Sequence, residues 1–177
     1  MKSKILFACT LCVVILLAGC SHNRDKQIAA ITKMEQSLSA IAVNPQTADS
    51  IVTLYVQFAD RFSKDSLAPV YLQRAADVSV NVGNTDEALE YIDRIIDEYP
   101  DFSDIAGCYF LKGFAYEQSE QYDLAKEAYT FFVENYPEHN LAADTKKMIP
   151  YIGMSPEQML DMLLANSNAG GIFTEEE

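Results

Sequence analysis

The chain has 177 residues and a formal net charge of −13 at pH 7, which is the length of a single domain with an acidic surface. Such a surface repels nucleic acid and anionic lipid headgroups, so we expect neither as a partner. Only two histidines occur, His22 and His139, and neither has a second histidine or cysteines at the spacing of a metal site. We therefore predict no metal and no cofactor.

The first twenty residues have the three parts of an export signal. Lys2 and Lys4 form a positive start, and the apolar run over 5–17 is shorter than the about 20 residues of a spanning helix. Residues 17–20, Leu-Ala-Gly-Cys, then resemble the lipobox of bacterial lipoprotein signal peptides. The resemblance implies cleavage before Cys20 and acylation of its thiol with enough chains for a stable anchor. A non-lipidated signal peptide with a chance cysteine is the alternative.

Cleavage before Cys20 removes two lysines and no acidic residue, which takes the formal charge from −13 to −15. Ser21 follows the acylated position, and a residue other than aspartate there resembles lipoproteins that are sorted to the outer membrane. We therefore predict a lipid-anchored protein of the cell envelope, at the outer membrane. The predicted parts are a signal peptide (1–19), a lipidated tether (20–27), a helical repeat domain (28–166) and a disordered acidic tail (167–177).

The rest of the chain shows the apolar period of helices and no sustained alternation of apolar and polar residues, which predicts an all-α fold. Glycine and proline are sparse and fall between the periodic segments. The short connections imply that neighbouring helices are antiparallel. The predicted helices cover 25–42, 46–64, 67–82, 85–98, 103–119, 122–135, 140–150 and 155–166.

Two of these segments repeat at an offset of 37 residues. Ala88 aligns with Ala125, and the Tyr-Pro pair at 99–100 aligns with the pair at 136–137. The same offset extends backwards to residues 54–63, although no proline stands there. We therefore expect two clear copies and one degenerate copy before them.

The second clear copy carries residue marks of a known repeat. The marks are Tyr109, Gly113, Tyr116, Tyr122, Ala125, Tyr129 and Pro137. In these residues, and over about 46–150, the chain resembles the tetratricopeptide repeat family. The resemblance implies antiparallel helix pairs stacked into a right-handed superhelix, with Gly113 and Ala125 where the two helices of a repeat cross closely.

The first clear copy matches the repeat less well. Ala76 stands in place of the glycine, Ser79 in place of the tyrosine, and Thr85 in place of the aromatic residue. The Tyr-Pro endings and the spacing of 37 residues are similar to an envelope subset, the BamD-like outer-membrane assembly lipoproteins and related periplasmic proteins. Those lipoproteins have around five repeats, whereas this chain has room for about three to four.

The resemblance also places a partner-binding groove on the first helix of each repeat. Phe110 and Phe114 are four residues apart and share a stripe that suits a bound peptide. The alternative for both is burial against a neighbouring repeat or against the helix that begins near Leu141. The predicted groove residues are Gln73, Asp77, Asn81, Phe110, Phe114 and Gln118.

No residue constellation supports enzymatic activity. The chain has no nucleophile elbow and no glycine-rich phosphate loop, and the acidic pair at 86–87 is explained by the macrodipole of a helix start. Thr85 and Ser155 are predicted helix N-caps. Cys108 is expected to be a small buried apolar side chain. Ser50 and Ser66 follow aspartates as in some bacterial O-glycosylation sites, but an ordinary surface role for Ser50 and a helix-cap role for Ser66 are the favoured interpretations.

The leading hypothesis is a non-enzymatic, lipid-anchored scaffold that binds an envelope protein or peptide in its groove and has a role in outer-membrane protein assembly. One alternative is a periplasmic carrier or enzyme for a small ligand, which requires a closed pocket with converging polar groups. The other alternative is a structural accessory subunit of an envelope complex.

Overall fold

The computed structural model describes residues 23–38 and 45–169, which form helices and turns with no strand among them. The predicted all-α fold is therefore confirmed. In chain order the helices are α1 (23–38), α2 (Pro45–Arg61), α3 (Ala68–Asn81), α4 (Thr85–Glu98), α5 (Ile105–Gln118), α6 (Tyr122–Asn135), α7 (Ala142–Met148) and α8 (Pro156–Ala169), with a 3-10 turn at Ile149–Tyr151.

The start of the domain differs from the prediction. Helix α1 already includes residues 23 and 24, before the predicted helix start at 25, and it overlaps the predicted tether over 23–27. Arg24 explains the difference, because its guanidinium donates to both carboxylate oxygens of Asp65, with Nη2 and Oδ1 3.2 Å apart. This ion pair fixes the first turn of α1 to the connection between α2 and α3. The predicted signal peptide and Cys20 lie outside the described residues.

The C-terminal helix is longer than predicted. Ser155 and Gln158 form a reciprocal cap, in which the Ser155 hydroxyl accepts from the Gln158 amide N–H at 3.2 Å and the Gln158 side chain accepts from Ser155 N–H at 2.8 Å. The helix that starts there runs to Ala169 and takes in the first three residues of the expected tail. Residues 170–177 lie outside the described residues.

The connections inside the two repeats share one backbone turn. After α3 the N–H of Gly83 donates to the Val80 carbonyl at 3.0 Å, and the N–H of Asn84 donates to the Ser79 carbonyl at 2.8 Å. This is the Schellman pattern, and Gly83 takes the positive φ of 86° that it requires. Because Asn84 closes the turn, it precedes the helix, and Thr85 is the first helical residue rather than the predicted cap.

Residue contacts divide the chain into two compact units, one that ends at Ile105 and one that begins at Ala106. In the first unit, α2 packs on α3 and α3 packs on α4. Its core is aromatic: the Tyr71 ring lies 4.8 Å from Phe58 and 5.5 Å from Tyr55, measured between ring centroids. Ile31 of α1 is completely buried in the same cluster, so α1 belongs to this unit.

The second unit has its own core around α6. Ala125, Tyr129 and Ile152 are buried there, and partly buried side chains of α5 and of the segment after α7 pack against them. Gly113 faces the Tyr129 ring so closely that a Cβ at this position would lie 2.6–2.8 Å from ring atoms. Gly113 is therefore small because Tyr129 fills the space beside it. Cys108 is fully buried, as predicted.

Candidate partner-binding surfaces

The predicted groove residues of the first unit form a polar strip along α3. Gln73, Asp77 and Asn81 recur every four residues, and the Gln73 side-chain amide donates to Asp104 Oδ2 at 2.7 Å. The Asn81 amide donates to the Asp77 backbone carbonyl at 2.8 Å. We call Gln73, Asp77, Asn81 and Asp104 the α3 polar strip. Its hydrogen bonds hold the two amides in fixed orientations within the unit.

Asp77 gives this strip an unusual carboxylate. Although the residue is exposed, nearby atoms displace water from its carboxylate, and this desolvation raises its pKa above the ordinary value. The negative charge of Asp104 raises the pKa further. Two acidic groups close together favour a partner that supplies positive charge or N–H donors.

The predicted groove residues of α5 have a different environment. The Phe110 ring lies 5.5 Å from the Tyr129 ring and 5.6 Å from the Phe132 ring, between centroids. Phe114 is also half-buried and packs against the Ala125–Tyr129–Ile152 cluster. Both phenylalanines therefore pack mainly against α6 of their own repeat, which is not the neighbouring repeat that the alternative named. Contact of either residue with a partner stays a prediction.

Gln118, the last predicted residue, is exposed at the end of α5. It lines an open depression of about 700 Å³ that continues along the start of α6 and the segment between α7 and α8. Tyr122 and Met159 contribute exposed apolar surface to the same depression. Gln118 is thus accessible to a partner, whereas its predicted neighbours on α5 are half-buried.

An apolar surface on α5 and α6 was missed from the sequence. Leu124 and Phe131 are 41% and 42% exposed, which is high for such large apolar side chains. They border a shallow depression of about 310 Å³. We call this surface the α5–α6 apolar patch, and its members are Tyr109, Lys112, Tyr116, Leu124, Glu127, Ala128 and Phe131.

The patch is built from rings that are already in place. The Tyr109 ring lies 4.5 Å from Phe131 and 5.7 Å from Tyr136, between centroids. On α6, Leu124, Ala128 and Phe131 follow helical spacing and form a second stripe beside the buried one at 125, 129 and 132. That second stripe is the sequence signal that could have revealed the patch.

Other kinds of site find no support in the described part of the chain. Over 23–38 and 45–169 no group of three histidine, cysteine, aspartate or glutamate side chains is arranged to hold a metal ion. Among the same residues, no helix combines the length and the apolar character needed to cross a membrane.

Comparisons with known proteins identify the repeats. No curated protein and no solved structure matches the chain. Two segments, however, match models of the tetratricopeptide repeat: residues 70–101, which cover most of α3 and all of α4, and residues 106–139, which cover most of α5 and all of α6. These are the two copies that the offset of 37 residues predicts. Two consecutive segments of the chain, one in each compact unit, are therefore similar to the tetratricopeptide repeat.

Proposed function

We propose that this protein is a non-enzymatic scaffold, lipid-anchored in the cell envelope, that binds another envelope protein. Tetratricopeptide repeats are a module for protein–protein interaction, and their stacked helix pairs present extended surfaces to partners. The lipobox-like residues 17–20 support the anchor and the envelope location. The likeness of the Tyr-Pro endings to BamD-like lipoproteins supports a role in outer-membrane protein assembly.

The observation that carries the proposed binding function is the exposure of the α5–α6 apolar patch. Contiguous apolar surface on a soluble domain is a mark of an interaction site, and aromatic side chains contribute most to such interfaces. Leu124 and Phe131 are exposed, and Phe131 contacts the Tyr109 ring, which itself stacks on Tyr136. A partner that covers these side chains gains apolar contact without reordering the patch.

Site-specific photo-crosslinking in intact cells tests the binding function. A photoreactive amino acid at Leu124 should capture an envelope protein, and Phe131→Ala in the same chain should reduce the captured amount about tenfold. Leu141→Ala is a matched control, because Leu141 is 39% exposed in the same unit but outside the patch. The binding function is wrong if no protein is captured at the patch, or if the control reduces capture equally. Capture of an outer-membrane assembly component supports the specific role.

Metabolic labelling with palmitate tests the anchor. We expect the chain to incorporate palmitate and to fractionate with the outer membrane, and Cys20→Ala to lose both properties. Cys12→Ala removes a cysteine from the apolar run and should retain both. Palmitate incorporation that survives Cys20→Ala contradicts the proposed anchor. Size-exclusion chromatography of the extracted native protein then separates an adaptor from a permanent accessory subunit.

A further inference from the structure

The first unit contains a cavity of about 370 Å³ that lies apart from the α3 polar strip. One face of α2 forms one wall, with Asp49, Val52 and Val56 at helical spacing. The start of α4 forms the other wall with Glu87 and Tyr91, and Ser79 of α3 lies at the floor. The cavity therefore opens between α2 and α4, whereas the predicted groove follows the first helices of the two repeats.

Ser79 is a small residue at the floor of this cavity. The offset of 37 residues pairs it with Tyr116, so the first repeat has a hydroxymethyl group where the second repeat has an aromatic ring. Ser79 is only 1% exposed, and among the described residues its hydroxyl has no hydrogen-bond partner. A buried hydroxyl without a partner is costly, because folding has removed its water without a replacement. The floor of the cavity thus offers an unused polar group to a ligand.

The charge around the cavity selects the ligand. Asp49 and Glu87 stand on opposite walls, and no lysine, arginine or histidine lines the cavity. The nearest cation along α4 is Arg94, which is already paired with Asp60 at 2.7 Å and Glu98 at 3.2 Å. The two wall carboxylates therefore attract a cation from outside the unit. Between them, Val52, Val56 and Tyr91 supply apolar contact.

We propose that this cavity binds a lysine side chain of a basic partner protein. The aliphatic stem packs between Val52, Val56 and Tyr91, and the ammonium group donates hydrogen bonds to the wall carboxylates and to the Ser79 hydroxyl. A compact ammonium on an apolar stem matches this combination of apolar side chains, two carboxylates and the unpaired Ser79 hydroxyl. The proposal rests on the proposed scaffold function, since its occupant belongs to a partner protein.

Titration of the purified full-length chain with a capped alanine–lysine peptide tests the proposal. Methyl NMR signals of Val52 and Val56 should shift, and the same peptide with every lysine acetylated on Nε should shift them far less. Asp49→Asn together with Glu87→Gln should weaken binding about fivefold. Asp86→Asn together with Glu90→Gln is the matched control, because it removes two exposed carboxylates of α4 that do not line the cavity.

Ser79→Tyr restores the ring of the second repeat and should abolish the methyl shifts. If that variant does not fold, the two charge variants still decide the outcome. Equal binding of the acetylated peptide, or an equal loss in the control pair, overturns the proposal. Tighter binding of putrescine than of the peptide also overturns it, since the site would then serve a free diamine. Photo-crosslinking at Leu124 is independent of this cavity, so the failure of either proposal is seen separately.

Discussion

The two repeats pack their helices together at equivalent positions with different residue pairs. In the second repeat, Gly113 faces the ring of Tyr129. The offset of 37 residues places Ala76 and Ile92 at the equivalent positions of the first repeat, and both are fully buried. The second repeat pairs the smallest residue with a large aromatic ring, whereas the first repeat pairs two side chains of intermediate size. A crossing of this kind is therefore constrained by the combined volume of two side chains more than by the identity of either.

The same comparison shows where polarity is tolerated. The Tyr129 hydroxyl donates to Glu117 Oε2 at 3.0 Å, and burial, followed by the charge of Glu117, raises the pKa of Tyr129 so that it stays a donor. The equivalent pair in the first repeat is Ile92 and Val80, both buried and apolar. A hydrogen-bonded pair and an apolar pair thus occupy equivalent places. Both pairs leave no polar group without a partner, whereas a single polar residue opposite an apolar one would lack a hydrogen bond.

The largest expected effect comes from Gly113→Ala, which should lower the free energy of unfolding by about 1–3 kcal/mol because the new methyl overlaps the Tyr129 ring. Adding Tyr129→Ile together with Glu117→Val, as one combined change, recreates both residue pairs of the first repeat and should recover part of this loss. Urea denaturation of the four chains in a double-mutant cycle measures the coupling. Simple additivity of the two changes would show that the volumes are not matched as described.

A smaller effect is expected at the turns. Glu120 occupies the position of Gly83 and has a φ of 59°, which strains a residue with a side chain. Glu120→Gly should therefore stabilise the chain by about 1 kcal/mol. Gly83→Ala is the reciprocal change and should destabilise by about 1 kcal/mol through the backbone alone, since no atom lies within 4 Å of an added Cβ. Thermal melts that move in the same direction for both variants would contradict this explanation.

The smallest effect concerns α1, which belongs to the first compact unit and precedes the first repeat. The hydrogen bond from Arg24 lowers the pKa of Asp65, and the stabilisation from this pair is therefore complete above the ordinary carboxylate pKa and is lost as the pH falls through the lowered value. Below about pH 4, amide protection over residues 23–38 should decline before that of α6. Hydrogen exchange measures both segments in one sample.

Two variants check this assignment. Asp65→Asn should show weak protection of α1 already at neutral pH and little further change in acid. Asp25→Asn removes the more exposed carboxylate beside Arg24, 3.4 Å from its Nη1, and should retain the behaviour of the original chain. Equal acid sensitivity in Asp65→Asn would assign it to another group.

Much of the fold followed from local sequence signals. The bounds of α4 and α6 agree with the prediction because a turn residue precedes each helix and a Tyr-Pro pair follows it. The burial of Cys108 followed from the usual environment of a lone cysteine, and the close approach at Gly113 followed from the repeat pattern. The helical state of residues 23 and 24 did not, because the ion pair of Arg24 depends on Asp65, about forty residues further along the chain.

The candidate surfaces were harder to predict for the same reason. Helical spacing grouped Phe110 and Phe114 correctly, but only the positions of Tyr129 and Phe132 decide that both are half-buried. The exposure of Leu124 and Phe131 depends on what packs beside α6, which a single sequence does not encode locally. The cavity at Ser79 was visible only as a departure from the repeat pattern. Positions that depart from the repeat pattern in this way are candidates for a functional site.

The fully buried thiol of Cys108 provides a built-in reporter of breathing in the second unit. In a chain whose Cys20 is acylated and whose first nineteen residues are removed, it is the only cysteine left to react with a thiol reagent. When closing is fast relative to labelling, the labelling rate is proportional to the population of opened molecules. A partner that binds only the closed form should therefore slow the labelling of Cys108, even if it touches none of its neighbours.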